Sequence, residues 1–338
     1  MVNSCNMKKT IPFFGLILLV LFLMVSCNRG NRKEQKQQAE IQVNVPVFNA
    51  DSAYAYVAAQ VAFGPRVPKT GAHTKCREYL VASLKRFLPD VVVQESQVKA
   101  FDGTVLPMKN IIASYKPELK DRIFLSSHWD SRPFADHDPD KKNHRTPIDG
   151  ANDGASGVGV LMEVARQLSQ SPAPIGVDIV FFDVEDYGRP QDIESNDDSG
   201  DDWGLGSQYW AKNSHKQDYY ARYGVLLDMV GAPNATFLME GWSMYYAPDV
   251  VQKFWSAGQR LGYASYFISQ KGGTITDDHY YVNKYKGIPT IDIIHLDQTS
   301  SSGFHSTWHT LKDKMDDIDP NTLKAVGQTI LEVIYHEQ

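Results

Sequence analysis

Residues 123–168 constrain the fold more than any other stretch of this chain. Ile123-Phe124-Leu125 is a short apolar run that reads as a buried strand, and it ends at the polar His128-Trp129-Asp130. The turn Gly150-Ala151-Asn152-Asp153-Gly154-Ala155-Ser156-Gly157 follows. After it Val158, Leu161, Met162, Ala165 and Leu168 recur at helical spacing, which predicts a helix over 154–170. Asp153 falls where loop becomes helix. There its carboxylate points at a metal or substrate with the positive end of the helix behind it.

The alternation continues downstream. Strands are predicted at 177–182, 223–227 and 290–294, and helices near 207–212, 249–261 and 320–335. The last helix has Asp319 as cap, Pro320 in its first turn and an apolar stripe of Leu323, Val326, Ile330, Val333 and Ile334. Upstream, helices at 51–61 and 73–87 are separated by Phe63-Gly64-Pro65-Arg66-Val67-Pro68, which neither helix can cross. The β-rich runs 91–98 and 108–115 flank Phe101-Asp102-Gly103, a hairpin signal. The expectation is one α/β domain with a mixed, mostly parallel central sheet flanked by helices and antiparallel strands at one edge.

The first residues follow other rules. Lys8 and Lys9 precede the apolar run Ile11–Val25, and Met24-Val25-Ser26-Cys27 resembles a bacterial lipobox. This predicts a signal peptide over 1–26 and a lipid on Cys27. A polar tether follows over 27–46, and the catalytic domain occupies 47–338. The run is shorter than the ~20 residues a spanning helix needs. The expected location is therefore an exported, membrane-anchored lipoprotein of a bacterial periplasm or cell surface. Outside the signal and lipid positions only Cys76 remains, so no intramolecular disulfide forms. Cys76 shares a helical face with Tyr79, Leu80, Leu84 and Phe87 and reads as a small buried hydrophobe. The net charge of −6, without Lys/Arg clusters, excludes nucleic acid as partner. The acidic loop 188–206 reads as solvated, because its spacing does not match an EF-hand, and Trp203 within it suggests a pocket wall.

Chemistry gathers where the strands end. In open α/β sheets ligands bind beyond the carboxyl ends of the strands. Those ends deliver His128 and Asp130, then Asp183, Glu185 and Asp186, then Asp228, then His295 and Trp308-His309-Thr310. Taken singly, Asp153 reads as a helix cap, His128 as a hydrogen-bonded histidine and Glu185-Asp186 as a solvated turn. Asp228 is enclosed by Val225-Leu226-Leu227 and Met229-Val230, so its carboxylate needs a partner. Together they form an imidazole and carboxylate set without thiolate, which suits a catalytic zinc.

In that order His128-x-Asp130, Asp153, Glu185-Asp186, Asp228 and His309 resemble the zinc exopeptidase superfamily. Phe181-Phe182-Asp183-Val184-Glu185-Asp186, Leu226-Leu227-Asp228-Met229-Val230-Gly231-Ala232-Pro233-Asn234, Gly272-Gly273-Thr274-Ile275-Thr276-Asp277-Asp278-His279 and Trp308-His309-Thr310 narrow the likeness. They resemble a bacterial branch of the glutaminyl-peptide cyclotransferases, from about Tyr54 to the end of the chain. The resemblance implies one zinc on Asp153, Asp186 and His309. It implies Glu185 as proton shuttle, with Asp228 and Asp277 in a carboxyl network around it. Trp308, Phe304, Ile275 and Trp203 become pocket walls, and His128 and Asp130 serve a second metal or support the first. The implied reaction is cyclisation of the N-terminal glutamine of peptides and proteins to pyroglutamate, with loss of ammonia. Two features depart from the animal enzymes. Asp186 stands for their usual Glu, and Ser127 removes their disulfide beside the His-x-Asp strand. The alternatives are a two-zinc aminopeptidase, which needs the same ligands, and a non-catalytic binding lipoprotein, which has no use for Glu185.

Overall fold

Asn49 accepts the Ser52 N–H with its side chain and starts α1 (Ala50–Val61). Thr70 does the same for His73 at the head of α2 (Gly71–Lys85). These coordinates are a computed structural model describing residues 1–2, 43–193 and 201–338. Residues 3–26 of the predicted signal, Cys27, the predicted tether up to residue 42, and Glu194, Asp197 and Asp198 of the acidic loop lie outside the described residues. Val43–Gln338 make one compact unit. At its start Val43 and Val45 pack on the core, and the Pro46 carbonyl accepts from Gln328 Nε2 at 3.2 Å.

The predicted hairpin is β1 (Asp90–Lys99) and β2 (Val105–Tyr115), paired antiparallel from Asp90↔Ser114 to Lys99↔Val105. The apolar run at 123 lies in β3 (Arg122–His128), every residue of which is buried. The helix after it is α3 (Ala155–Gln170). Then come β4 (Gly176–Phe182), α4 (Leu205–Lys212) and β5 (Gly224–Asp228). Next are β6 (Phe237–Met239), α5 (Gly241–Tyr246), α6 (Pro248–Arg260) and β7 (Phe267–Lys271). α7 (Asp278–Lys286), β8 (Thr290–Ile294) and α8 (Pro320–Tyr335) complete the order.

The main sheet runs β1-β2-β4-β3-β5-β8. β2 meets β4 antiparallel, while β4, β3, β5 and β8 are parallel, so the antiparallel strands occupy one edge as expected. Successive side chains alternate between faces. Ile123 and Leu125 join Val158, Leu161, Val326 and Ile330 in the larger core under α1, α3 and α8. Phe124 and Phe182 face the other way, onto Trp210 of α4 and Val282 of α7. Burying each such side chain contributes about 1.5–3 kcal/mol. Cys76 lies in the larger core, where burial pushes its thiol up to about 12. β6 and β7 form a separate parallel pair that the sequence pattern does not predict.

β4 lies on one side of β3 and β5 on the other, so the strand order reverses at β3. A crevice opens beyond such a switch point. α3 closes against it because residue 157 is glycine. A Cβ there would sit 2.4 Å from the Leu227 carbonyl and from Ser127 Oγ.

Candidate active site

Each site residue is aimed by its local backbone. Asp130, two residues past the end of β3, turns its carboxylate under the neighbouring loop. Its Oδ1 accepts from Glu185 N at 3.1 Å and its Oδ2 from Asp186 N at 3.2 Å. Val184, just before them, has φ +56°. That is a costly conformation for a β-branched residue, and it is held by Leu205 N donating to its carbonyl at 3.0 Å. Met229 after Asp228 (φ +49°) and His309 itself (φ +54°) share the left-handed region. The turn carrying Asp153 is held from behind by Asp313, which accepts from Asn152 N at 2.7 Å and from Asp153 N at 3.1 Å. Gly154 (φ +90°) lies flat against His128, where a Cβ would come within 2.8 Å of the ring.

These loops converge. His128 Nε2 is 3.0 Å from Asp153 Oδ1 and 3.2 Å from Asp228 Oδ1. His309 Nε2 is 3.3 Å from Asp186 Oδ1 and 3.5 Å from Asp153 Oδ2. Asp153 therefore stands between two groups of ligating atoms, Asp153/Asp186/His309 and His128/Asp153/Asp228. The first group borders a cavity of about 340 Å³ that Glu185, Asp228 and Asp277 also line. Its walls include Trp203, Ile275, Phe304 and Trp308. Trp308 stacks on His309 at 3.9 Å between centroids, and Trp203 lies parallel to the same imidazole at 6.1 Å.

Buried acids dominate the electrostatics. Burial lifts the Glu185 carboxyl well above its usual range. His128 opposes this, and the charges of Asp277, Asp186 and Asp278 add to it. Burial and Asp153 raise Asp186 to about 6 against the pull of His309. Asp228 rises to about 7, by burial and despite its bond to His128. Burial also raises Asp277. Such crowding of one sign is stable only with protons or a cation in the site. Asp186 Oδ2 is buried without a hydrogen-bond partner, as a ligand oxygen waiting for a metal would be. The donor set of one imidazole and two carboxylates fits a zinc with an open position.

Pattern reasoning missed the residues that hold this set. Arg132 is fully buried; its Nε and Nη2 clasp Asp136 at 2.7 and 2.6 Å, and its Nη1 donates to the Asp186 carbonyl at 3.1 Å. The guanidinium lies 4.6 Å over the Trp203 ring. Asp136 Oδ1 is 3.4 Å from His309 Nδ1, which leaves Nε2 facing the acids. Glu240 is the second hidden support. Its carboxylate accepts from Trp242 N (2.8 Å), Ile275 N (2.9 Å) and Ser243 N (2.6 Å), and contacts His279 Nε2 at 3.0 Å.

Two strand-end candidates do not join the site. His295 follows Ile294, which lines the cavity, and so points to the opposite face, where its ring lies 5.3 Å from His305. Asp183 is also turned away, toward His73 Nε2 at 2.8 Å and Lys109 N at 2.7 Å.

The pattern that defines peptidase family M28 matches residues 110–334. A glutaminyl cyclase from Bacteroides thetaiotaomicron, solved with N-acetylhistamine, is 56% identical with a TM-score of 0.86, covering 87% of this chain and 100% of that one. A zinc-dependent exopeptidase from Parabacteroides distasonis is 57% identical with a TM-score of 0.85 and the same coverage, 87% and 100%. The glutaminyl-peptide cyclotransferase of Drosophila melanogaster is 27% identical over 283 residues, 75% of this chain and 72% of its own length.

Proposed function

This chain belongs to the glutaminyl cyclases of peptidase family M28, and from that premise we propose that it converts the N-terminal glutamine of peptides and proteins to pyroglutamate with release of ammonia. One observation carries the reading. Glu185, Asp186 and His309 all reach a cavity walled by Trp203, Phe304 and Trp308, with the His309 ring stacked on Trp308.

Asp153, Asp186 and His309 would hold one zinc, since their ligating atoms lie within 4.8 Å of one another and Asp186 Oδ2 has no other partner. When bound, the ion supplies Lewis acidity to the carbonyl of the glutamine side chain. The protein's own residues do the rest. Ile275, Phe304 and Trp308 enclose the substrate side chain and exclude water, so the amine rather than water attacks. As the α-amine nitrogen forms its bond to the side-chain carbonyl carbon, Glu185 takes a proton from it. As the bond from that carbon to the amide nitrogen breaks, Glu185 returns the proton and ammonia leaves. Asp228 and Asp277 line the same cavity, and the Asp277 charge helps burial hold the Glu185 carboxyl above its usual range, which suits Glu185 to both halves of the transfer. The nucleophile belongs to the substrate, so no enzymatic nucleophile is required.

The His128/Asp153/Asp228 group favours a second reading, a two-metal aminopeptidase. One experiment separates them: ammonia release from a Gln-starting dipeptide, with and without chelator, beside hydrolysis of a Leu-starting dipeptide. The cyclase reading expects chelator-sensitive ammonia from the first, no cleavage of the second, and one tightly held zinc. Cleavage of the Leu dipeptide with two zincs would overturn it.

The location proposed for the enzyme is the membrane surface outside the cytoplasm, held by lipid on Cys27. The basic, apolar and Cys-terminated order of residues 8–27 supports this. Among the described residues no helix is long and apolar enough to cross a membrane.

A further inference from the structure

Beside the cavity the protein carries a row of aromatic rings that neither its core nor the chemistry above uses. α5 bears Trp242, Tyr245 and Tyr246 and no charged residue. The rings pack on one another, Tyr245 on Tyr246 at 4.8 Å and Trp242 on both at 6.1 Å. Tyr280 of α7 extends the row, 5.1 Å from Trp242. Tyr245 keeps 73% of its surface in water, so it adds little to the core.

Two connections tie this row to the cavity. The Gly241 N–H donates to the Gly273 carbonyl at 2.8 Å, and Glu240 accepts from both Trp242 N and Ile275 N. The head of α5 and the Ile275 wall therefore share one buried carboxylate. Tyr280 also stands three residues after Asp277, on the same side of α7, and Asp277 lines the cavity. One turn further on, Lys284 Nζ lies 5.4 Å from the Tyr280 ring and 3.5 Å from Asp201 Oδ1, and Asp202 beside it lines the cavity. The row begins at the rim.

We propose that Trp242, Tyr245, Tyr246 and Tyr280 bind the peptide segment that follows the N-terminal glutamine, with preference for aromatic side chains there. The inference rests on the cyclisation reading. Cyclisation consumes only the first residue, so the rest of the substrate must leave the cavity. At about 340 Å³ that cavity is at the small end of ligand sites, which run ~300–1,000 Å³. Tyrosine and tryptophan provide rigid contact area at low entropic cost, and tyrosine hydroxyls meet peptide groups. With no charge on α5, selection along that helix is by stacking and not by sign.

The test compares wild type, Tyr245→Ala and Trp242→Ala on three substrates: Gln-Ala amide, a hexapeptide beginning Gln with Phe at positions three and four, and the same hexapeptide with Ala there. Wild type should prefer the Phe hexapeptide over the Ala one by about three- to tenfold in kcat/KM, the range of one aromatic contact. Both variants should lose that preference through KM while cyclising Gln-Ala amide within twofold of wild type. Tyr245 is exposed, so its variant stands as the test even where Trp242→Ala folds poorly. Equal rates for the two hexapeptides in wild type overturn the proposal, as does an unchanged preference in Tyr245→Ala. A change in sedimentation mass with peptide kinetics unaltered assigns the row to a second copy of the chain and also overturns it. Failure of wild type to cyclise Gln-Ala amide is a separate result. It removes the cyclisation reading, and this inference with it.

Discussion

Asp136→Asn separates metal positioning from simple stability. Asp136 accepts two hydrogen bonds from Arg132, at 2.7 and 2.6 Å, and lies 3.4 Å from His309 Nδ1. Asparagine keeps the shape but offers one acceptor oxygen and two N–H donors to the same donors. One contact must become donor against donor, and Arg132 loses its counter-charge. A hydrogen bond to a charged group contributes about 1.5–3 kcal/mol. At roughly 2 °C per kcal/mol for a domain of this size, the metal-free protein should melt about 3–6 °C lower. The larger effect falls on His309. Loss of a carboxylate that orients a ligating histidine typically weakens metal binding 10–100-fold, or about 1.4–2.7 kcal/mol. Zinc affinity measured by competition with a chromophoric chelator, beside thermal unfolding in excess chelator, reads both terms. If zinc affinity changes less than threefold while the metal-free melting point drops, the Arg132–Asp136 pair is only structural and the assigned orientation of His309 is refuted.

Glu185→Gln should retain zinc yet lose at least ~10²-fold in kcat with little change in KM, whereas Asp186→Asn should lose zinc first. The reverse pattern in metal analysis swaps the ligand and base. The hydrogen bond from His305 to Asp317 raises the histidine against an opposing burial effect, so its folded value lies above the ~6.5 of the unfolded chain. Its stabilisation is then fully present below about pH 6.5 and fades as pH rises through the folded value. His305→Gln should cost up to ~1 kcal/mol at pH 6 and nothing measurable at pH 9 in thermal melts; a constant gap would falsify the assignment. Cys76, with its thiol pushed up by burial to about 12, should resist iodoacetamide at pH 8 in the native protein and react after denaturation. Cys27→Ala should release the protein from the membrane fraction or block processing; normal processing with membrane retention contradicts the lipid anchor.

Periodic features were readable and contact-dependent ones were not. α8 spans 320–335 as the cap, the proline and the apolar stripe predict, because those signals are local. β3 and α3 follow from one apolar run and one helical period. β6 has three residues, too few to show alternation, and α5 has six. α7 is rich in tyrosine and charge, and its buried side against α4 depends on the fold around it. Because strand ends point one way in an α/β sheet, the candidate residues could be collected from the sequence, while their division into ligands and base rests on the resemblance to the zinc exopeptidases. Asp313 beneath Asp153 and Glu240 under Ile275 act across large sequence separations, and Arg132 with Asp136, though only four residues apart, lies in an irregular loop, so no period marks any of them. His295 satisfied the strand-end rule but fell on the wrong side of the two-residue alternation.

The position of β3 between β4 and β5 bears on how the chain folds. Its two neighbours are supplied by later sequence, and the loop with His309 comes after β8. The parallel pairs on which the site rests all close long loops, with the entropic cost that entails before any ligand atom has a partner. Folding should therefore be slow for the stability reached, and the ligand set should come together only when the C-terminal third has docked. On the export route proposed above, such a chain would remain without its proposed ion until translocation is nearly complete. The cavity would then acquire its zinc on the far side of the membrane, from whatever that compartment provides.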